Sequence, residues 1–173
     1  MERDELARVM HEMPYGLYII GSREDGGVNG MMADWVMQVS FEPRLVAVSF
    51  ENDSNTLKNV REHKVFSVNL LAQDDESMEL ARLFAQPSSG DKVKGRKDPE
   101  ATKVHRKLDG LDYEVTELGT PVLASAMAWF ECEVENSFPI GDHTLVVGRV
   151  LNGRIEKEVE PMTSGYTGWT YSG

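Results

Sequence analysis

The sequence is short of several residue types, and each shortage excludes a class of protein. A single cysteine, Cys132, excludes an intrachain disulfide and a multi-cysteine zinc site, which favours a reducing compartment. Lys and Arg number 18 against 29 Asp and Glu, a formal net charge of -11. Nucleic acids and membrane surfaces bind mainly through basic residues, so neither is expected as a partner. No apolar run approaches a transmembrane length and MERDELARVM lacks a signal-peptide core, so we expect a cytoplasmic protein.

Motifs for common catalytic and nucleotide sites are also missing. No G-x-G-x-x-G follows a strand, and neither the P-loop pattern nor G-x-S-x-G occurs. The histidines show no metal-ligand spacing, which predicts that there is no metal site. What is present is an ordinary globular composition, 40% hydrophobic and 27% charged over 173 residues, which fits a single domain spanning residues 1–173.

Hydrophobic patterning predicts a mainly β protein with marginal helices. Strands are predicted over 15–22, 28–41, 44–51, 65–71, 126–134 and 144–157, and helices over 2–12, 54–64 and 74–86. The polar, basic segment 87–107 is predicted to be a surface loop or lid. Strands joined by hairpin turns favour a closed or nearly closed antiparallel barrel, which removes exposed sheet edges.

Three strands carry finer predictions. In 65–71, Ser67 and Asn69 define a more polar face opposite a buried one. In 126–134, Glu131 and Glu133 are predicted to point outward and Cys132 inward, where the thiol would be buried and inert. RLVAVSFE (44–51) is too continuously apolar for an exposed face.

The segment FENDSNTLKN combines the end of a strand with the start of a helix. Ser54, Asn55 and Thr56 fall on the first helical turn, where unpaired backbone N–H groups and the helix dipole can bind a phosphate. Such a site needs no net positive charge. An ordinary Asp or Ser N-cap explains the same residues, so both interpretations stay open.

The segment NGMMADWVMQVSFEP places an acid and a tryptophan in a run otherwise typical of a buried strand. Methionine and tryptophan offer adaptable or flat surfaces for an aromatic ring system, which indicates a ligand beside Met32, Asp34 and Trp35. The alternative is a twisted, half-exposed strand whose tryptophan fills the core or a subunit interface.

The tripeptide Gly141-Asp142-His143 also has two interpretations. Gly141 and Asp142 are common turn residues, so His143 could simply begin a strand. A histidine beside an aspartate can also be held in one tautomer and hydrogen-bond a polar ligand near neutral pH.

Taken in order, these segments resemble the flavin reductase-like family of FMN-binding split barrels. The matching pieces are MPYG (13–16), NGMMA (29–33), VSFEP (39–43), LVAVS (45–49), SNTL (54–57), VFSVNLL (65–71), LARLFA (80–85), GDH (141–143) and GRV (148–150). The resemblance implies an antiparallel Greek-key split β-barrel that forms a homodimer. It also implies a flavin, FMN rather than FAD, in a groove at or near the subunit interface, and NAD(P)H as the substrate.

The resemblance also implies roles for particular residues. The segment along the isoalloxazine and ribityl chain would comprise Met32, Ala33, Asp34, Trp35 and Val36. The phosphate-binding segment would comprise Ser49, Phe50, Glu51, Ser54, Asn55 and Thr56, with Lys92 adding a charge. Gly141, Asp142 and His143 would meet the nicotinamide, with His143 as the catalytic residue that orients it.

The chain departs from the family pattern where Met32, Asp34 and Trp35 replace hydroxyl-bearing residues. This variant resembles the reductase domains associated with rubredoxin and flavodiiron systems, which implies a possible redox protein partner.

We therefore consider three functions. The first is an NAD(P)H-dependent flavin reductase, the second is an FMN-bound electron carrier that receives electrons from a protein donor, and the third is a binding protein whose ligand is not a flavin. The aromatic tail, 166–171, is expected to lie against the barrel or a partner subunit.

Overall fold

The computed structural model describes residues 5–86 and 106–169. In chain order the elements are α1 (Glu5–His11), β1 (Tyr18–Glu24), β2 (Gly27–Ala33), β3 (Val36–Ser40), β4 (Leu45–Glu51), α2 (Asn55–His63), β5 (Val65–Leu70), α3 (Asp75–Phe84), β6 (Tyr113–Val115), β7 (Pro121–Leu123), β8 (Ala128–Ile140), β9 (His143–Ile155) and α4 (Ser164–Thr167). The three predicted helices and the mainly antiparallel β architecture are confirmed. Within the two described ranges, no helix has the length and apolarity that crossing a bilayer requires.

Seven of the strands form one sheet in the order β2-β1-β5-β8-β9-β4-β3. Strands β2 and β3 therefore lie at opposite edges, yet only Asp34 and Trp35 separate them in sequence. Three peptide units span at most about 11 Å, so the two edges must approach each other and the sheet must roll into a barrel. This confirms the predicted closed or nearly closed barrel.

The same link corrects the prediction of one long strand over 28–41. The Val36 N–H donates to the Asp34 carbonyl over 3.0 Å, which makes a tight turn. After the turn, β3 leaves β1 and β2 and pairs with β4 instead. The acid and the tryptophan that looked out of place in a strand are the two residues of this turn.

The barrel interior is filled by side chains that alternate along the strands. Members of this cluster include Ile20, Val48, Phe50, Phe66 and Val146, none more than 1% exposed. Gly148 also faces inward, and a Cβ there would lie 2.6 Å from the Phe66 ring. The interior is therefore packed so closely that the position of Gly148 has room for a hydrogen atom but not for a methyl group.

The outer face of β1 and β5 is buried as well. It is the more polar face of β5, as predicted from Ser67 and Asn69, but its burial was not predicted. The hairpin of β6 and β7 covers it, and Ser67 and Asn69 are 0% and 1% exposed. The Ser67 hydroxyl donates to the Pro121 carbonyl over 2.5 Å, and the Leu123 N–H donates to the Asn69 side-chain oxygen over 2.8 Å. These polar side chains therefore hydrogen-bond the backbone of the β6–β7 hairpin, which forms a second layer over the sheet.

Strand β8 shows a related correction. Glu131, predicted to point to solvent, is 4% exposed because it lies opposite Ser67 on this covered face. A register shift between Glu131 and Cys132 also breaks the simple alternation of the strand. Cys132 is buried as predicted, and burial raises the pKa of its thiol to about 12, with the Glu131 charge adding to the shift.

We predict that Gly148→Ala lowers the free energy of unfolding by about 1–3 kcal/mol, because the added methyl group must displace the Phe66 ring or the backbone. Denaturant unfolding at equilibrium measures the change. Gly27→Ala is the matched control, since a Cβ at that strand position meets nothing within 4 Å. Equal stability of the two variants would contradict the packing described for the barrel interior.

Candidate functional site

A cavity of about 430 Å³ lies along β2 and is lined by residues from distant parts of the chain. One group lies at the start of α2 and the adjoining strand ends: Ser49, Glu51, Ser54, Asn55, Thr56 and His143. The other lies at the end of α3 and on later segments: Phe84, Ala85, Gln86, Lys107, Ser164 and Trp169. Between them the wall is β2 and the turn that follows it, from Asn29 to Asp34.

The start of α2 is both capped and open to the cavity. The Ser54 Oγ accepts a hydrogen bond from the Leu57 N–H over 3.1 Å, which is an ordinary N-cap. Ser54, Asn55 and Thr56 nevertheless line the cavity. The two interpretations are therefore compatible, because capping uses one lone pair of the hydroxyl and leaves its O–H as a donor.

Asp34 stands in the cavity wall at the turn between β2 and β3. Its carboxylate accepts hydrogen bonds from its own N–H and that of Trp35. Burial nevertheless raises its pKa to about 6, because desolvation outweighs those bonds and the favourable charge of His143. The site thus contains a half-buried acid that changes charge near neutral pH.

The hairpin of β8 and β9 delivers His143 to the cavity and confirms the predicted turn. Gly141 adopts a left-handed φ of 57°, and Ile140 pairs with His143 across the turn. The Asn52 side chain donates to the Gly141 carbonyl over 3.2 Å, and the Asn52 N–H to the Asp142 carbonyl over 3.0 Å. These bonds fix the hairpin against the loop that leads into α2.

The His143 ring is held on two sides and is only 11% exposed. Its Nδ1 lies 2.7 Å from the Asp142 carboxylate, and this hydrogen bond lowers the pKa of Asp142. Its ring centroid lies 4.8 Å from that of Trp35. When Nδ1–H donates to Asp142, Nε2 is the acceptor of the neutral ring, so the pair can set the tautomer.

Several predicted residues lie beside the cavity without lining it. Phe50 is 0% exposed in the barrel interior, because it alternates with Ser49 and Glu51 along β4. Val36 packs against the same interior cluster. The Trp35 ring lies against that of His143, which lines the cavity. Lys92 lies outside the described residues.

Several cavity-lining residues were not predicted from the sequence, and three of them lie on segments beyond α3. Lys107 is the last residue of the segment 87–107, which was predicted to be a surface loop or lid because it is polar. It is only 5% exposed, so the prediction is wrong for this residue. Ser164 and Trp169 arrive on the C-terminal segment, where Ser164 exchanges hydrogen bonds with Tyr15. Trp169 packs against the barrel, as expected for part of the aromatic tail. No local pattern marks these residues, because long-range contacts alone bring them here.

A second cluster of polar side chains lies outside the cavity, at the tip of the first hairpin and the end of α2. Ligand atoms of Asp25, Glu62 and His63 lie within 4.8 Å of one another. Both acids are exposed, and His63 Nε2 is 3.7 Å from the Asp25 carboxylate. The absence of a metal site stays a prediction from the sequence.

Comparison with known proteins identifies the family. Residues 10–171 match the flavin reductase like domain, so the chain belongs to that family. This confirms the resemblance found in the sequence and defines the class as a flavin-binding oxidoreductase of the split-barrel fold.

The relatives with similar sequences are varied. A ferric-chelate reductase (NAD(P)H) of Archaeoglobus fulgidus is 28% identical, over 88% of this chain and 83% of its own. The actinorhodin polyketide dimerase of Streptomyces coelicolor is 30% identical, over 93% and 79%. The high molecular weight rubredoxin of Moorella thermoacetica is 28% identical over 92% of this chain, which spans only 64% of that longer protein.

Solved structures show the same fold. The flavin reductase PheA2 is 30% identical with a TM-score of 0.72, over 93% of this chain and 92% of its own. The NADH:FAD oxidoreductase SgcE6 of Streptomyces globisporus C-1027, in complex with NAD and FAD fragments, is 26% identical with a TM-score of 0.73, over 91% and 85%.

We predict that Asp34→Asn removes a pH dependence from the stability of the flavin-free protein. The raised pKa means that the folded state binds more protons than the unfolded state between about pH 4 and pH 6, so stability falls as pH rises through that range. After a discount for partial exposure, the loss is about 1–2 kcal/mol.

Denaturant unfolding at several pH values measures this effect. The stability difference between Asp34→Asn and the natural protein should grow from pH 4 to pH 6 and then stay constant. Asp112→Asn, which changes an exposed carboxylate away from the cavity, is the control. Parallel pH profiles for the natural protein and Asp34→Asn would show that Asp34 titrates as an ordinary surface acid.

Proposed function

We propose that the protein is an NAD(P)H-dependent flavin reductase that holds FMN in the cavity along β2. The observation that carries this proposal is the arrangement of the cavity: a helix N-terminus at one end, an apolar strand as its wall, and a fixed imidazole on the β8–β9 hairpin. Membership of the flavin reductase-like family supports the same conclusion.

The lining residues fit a flavin with its phosphate at α2. The first turn supplies backbone N–H groups, and Ser54 and Thr56 supply hydroxyls, so a net charge of -11 does not prevent phosphate binding there. Met31 and Met32 offer an apolar wall for the isoalloxazine. Lys92, at a position where family members often carry a basic residue, would add a further charge to the phosphate. FMN is proposed rather than FAD because a single phosphate suffices for this end of the cavity.

When bound, the flavin supplies the acceptor for a hydride from NAD(P)H. The protein's part is to bind, orient and exclude water. His143 would hydrogen-bond the nicotinamide amide or ribose, Asp142 would keep the imidazole in one tautomer, and Trp35 would support the ring from the side. No side chain needs to act as a covalent catalyst.

A second candidate is an FMN-bound electron carrier that receives electrons from a protein donor and lacks a nicotinamide site. The sequence similarity to a high molecular weight rubredoxin and to the diflavin flavoprotein A 1 of Synechocystis supports a redox protein partner, although this chain spans only 24% of the latter protein. The same cavity would serve either function. The two differ only in whether a nicotinamide reaches His143.

The protein is further proposed to be a cytoplasmic homodimer whose interface borders the cavity. Residues directly opposite each other in neighbouring strands share a face of the sheet. By this register Phe138, Leu145 and Ser49 share the outer face of β8, β9 and β4, as do Ile140, His143 and Glu51. We call the apolar residues of this face the outer patch: Met37, Phe138, Ile140, Leu145 and Val147.

Three residues of the outer patch are exposed in the monomer, the other two are half-buried, and the patch is continuous with the site. Met37, Phe138 and Ile140 are 64%, 50% and 49% exposed. Neighbouring large apolar side chains of this kind mark an interaction surface. A second copy is the proposed occupant, because Ser49, Glu51 and His143 of the cavity stand on the same face, so that a partner there would complete the wall of the groove.

The flavin reductase function is tested by anaerobic mixing of the FMN-loaded protein with NADH or NADPH. Rapid bleaching of the flavin absorbance is expected. His143→Ala should lower kcat/KM for the nicotinamide by about tenfold or more while changing the FMN affinity by less than about threefold. The exposed His11 provides the control substitution His11→Ala.

Other outcomes of this experiment decide between the candidates. Bleaching only with a reduced iron–sulfur or flavin protein would support the electron carrier. A colourless protein that takes up no FMN would overturn both flavin functions and support a binding protein for another ligand. Unchanged NADH and NADPH oxidation by His143→Ala would contradict the role given to the imidazole.

We predict that Phe138→Glu converts the dimer to a monomer, because a carboxylate would be buried without a partner in the interface. The dissociation constant should rise by about 100-fold or more, measured by light scattering across a dilution series. Val115→Glu changes a residue that is 55% exposed on β6, outside the outer patch, and should leave the dimer intact. A natural protein that is already monomeric at micromolar concentration would contradict the proposal.

A further inference from the structure

Asn52 is hydrogen-bonded to the residues on both sides of His143. Its side-chain amide donates to the Gly141 carbonyl over 3.2 Å, and its backbone N–H donates to the Asp142 carbonyl over 3.0 Å. Its side-chain oxygen accepts from the Thr144 hydroxyl over 2.7 Å. One residue of the loop before α2 therefore holds the two residues that precede His143 and the one that follows it.

The bond from Thr144 has a buried donor with a fixed direction. Thr144 is 0% exposed, and its hydroxyl also accepts a hydrogen bond from the Arg61 guanidinium over 3.0 Å. Because the hydroxyl accepts from Arg61 and donates to Asn52, its proton is directed to the Asn52 oxygen. Arg61 belongs to α2, so the hairpin is tied to that helix as well as to the loop before it.

The exposed tip of the hairpin needs such support. The Asp142 carboxylate lies 2.7 Å from His143 Nδ1, but it is 95% exposed, and pairs made by exposed side chains contribute little by themselves. Gly141, next to it, has a left-handed φ of 57°, and glycine restricts the backbone least of all residues. Where the carboxylate can reach depends on the backbone of Asp142, which Asn52 fixes.

We propose that Asn52 is a positioning residue for His143. By fixing the hairpin backbone, it keeps the Asp142 carboxylate on Nδ1, so that the neutral ring has Nε2 as its acceptor toward the nicotinamide. Asn52 is not among the described residues that line the cavity, so it acts through the hairpin rather than on a ligand. The part that concerns the nicotinamide rests on the proposed function, whereas the effect on the tautomer does not.

The tautomer of His143 tests this inference in the flavin-free protein. Long-range ¹H–¹⁵N NMR spectra of neutral imidazole rings separate the two tautomers. The chain has four histidines, and the His143 signals are identified by their loss in His143→Gln. The natural protein should carry the proton mainly on Nδ1. Asn52→Ala removes both side-chain bonds, and the ratio of the Nδ1–H to the Nε2–H form should fall by about threefold or more.

The same variant should change the use of the nicotinamide more than the binding of flavin. Asn52→Ala should lower kcat/KM for NADH or NADPH by about fivefold or more, while the FMN affinity changes by less than about threefold. Asn152→Ala is the control, since Asn152 is an exposed asparagine whose side-chain oxygen also accepts from a backbone N–H, that of Gly153. This control should match the natural protein in both measurements.

Substitutions of Thr144 separate positioning from general support of the fold. Thr144→Ser keeps the hydroxyl and should retain the tautomer and the kinetics of the natural protein. Thr144→Val removes the hydroxyl and should resemble Asn52→Ala. Because Asn52 and Thr144 share one hydrogen bond, the double variant should lose less kcat/KM than the product of the two single losses.

The remaining outcomes count against the proposal or against the proposed function. An unchanged tautomer in Asn52→Ala would overturn the positioning role even in a working flavin reductase. Losses that simply multiply in the double variant would show that the shared hydrogen bond is not the cause. Equal losses of FMN affinity and kcat/KM would assign Asn52 to flavin binding. If the natural protein oxidises neither NADH nor NADPH, the proposed function and the nicotinamide part fail together, and the tautomer alone decides the positioning role.

Discussion

The two-residue link between β2 and β3 is the constraint on which the rest of the structure depends. Because these strands are the two edges of a seven-stranded sheet, a link this short can exist only if the sheet closes. Closure packs the interior cluster around Phe50 and Phe66. It also places Asp34 in the wall of the cavity and Trp35 against His143, so that the point of closure and the candidate site coincide.

The cavity shows how an acidic protein can accommodate an anionic ligand. The start of α2 presents backbone donors to the cavity, and Lys107, held by two carbonyls, is the one lysine or arginine among the lining residues in the described ranges. Asp34 lines the same cavity as a half-buried acid whose charge changes near neutral pH. These features make the electrostatics of the site local, because none of them depends on the net charge of the chain.

Much of the architecture could be predicted because its cause is local. Ser54 and Asp74 cap α2 and α3 where the sequence places them, and Gly141 forms the turn that delivers His143. Burial was predicted less well. Ser67 and Glu131 look like solvent-facing residues until the β6–β7 hairpin covers their face, and Pro121 of that hairpin lies 54 residues from Ser67 along the chain. Alternation predicts which side of a strand a residue faces, but not what covers that side.

By itself, then, the sequence determined the helices, the hairpin turns and the family resemblance, since each follows from residues close together in the chain. Phosphate binding at the start of α2 stays a prediction from the same local pattern. Only the tertiary structure decided that a predicted strand breaks at Asp34, and that Phe50 belongs to the interior rather than to the cavity wall. It also decided that Lys107 and Trp169 reach the cavity. The physical reason is that barrel closure joins segments separated by most of the chain, and the hydrogen bonds and burial that fix them have no local pattern.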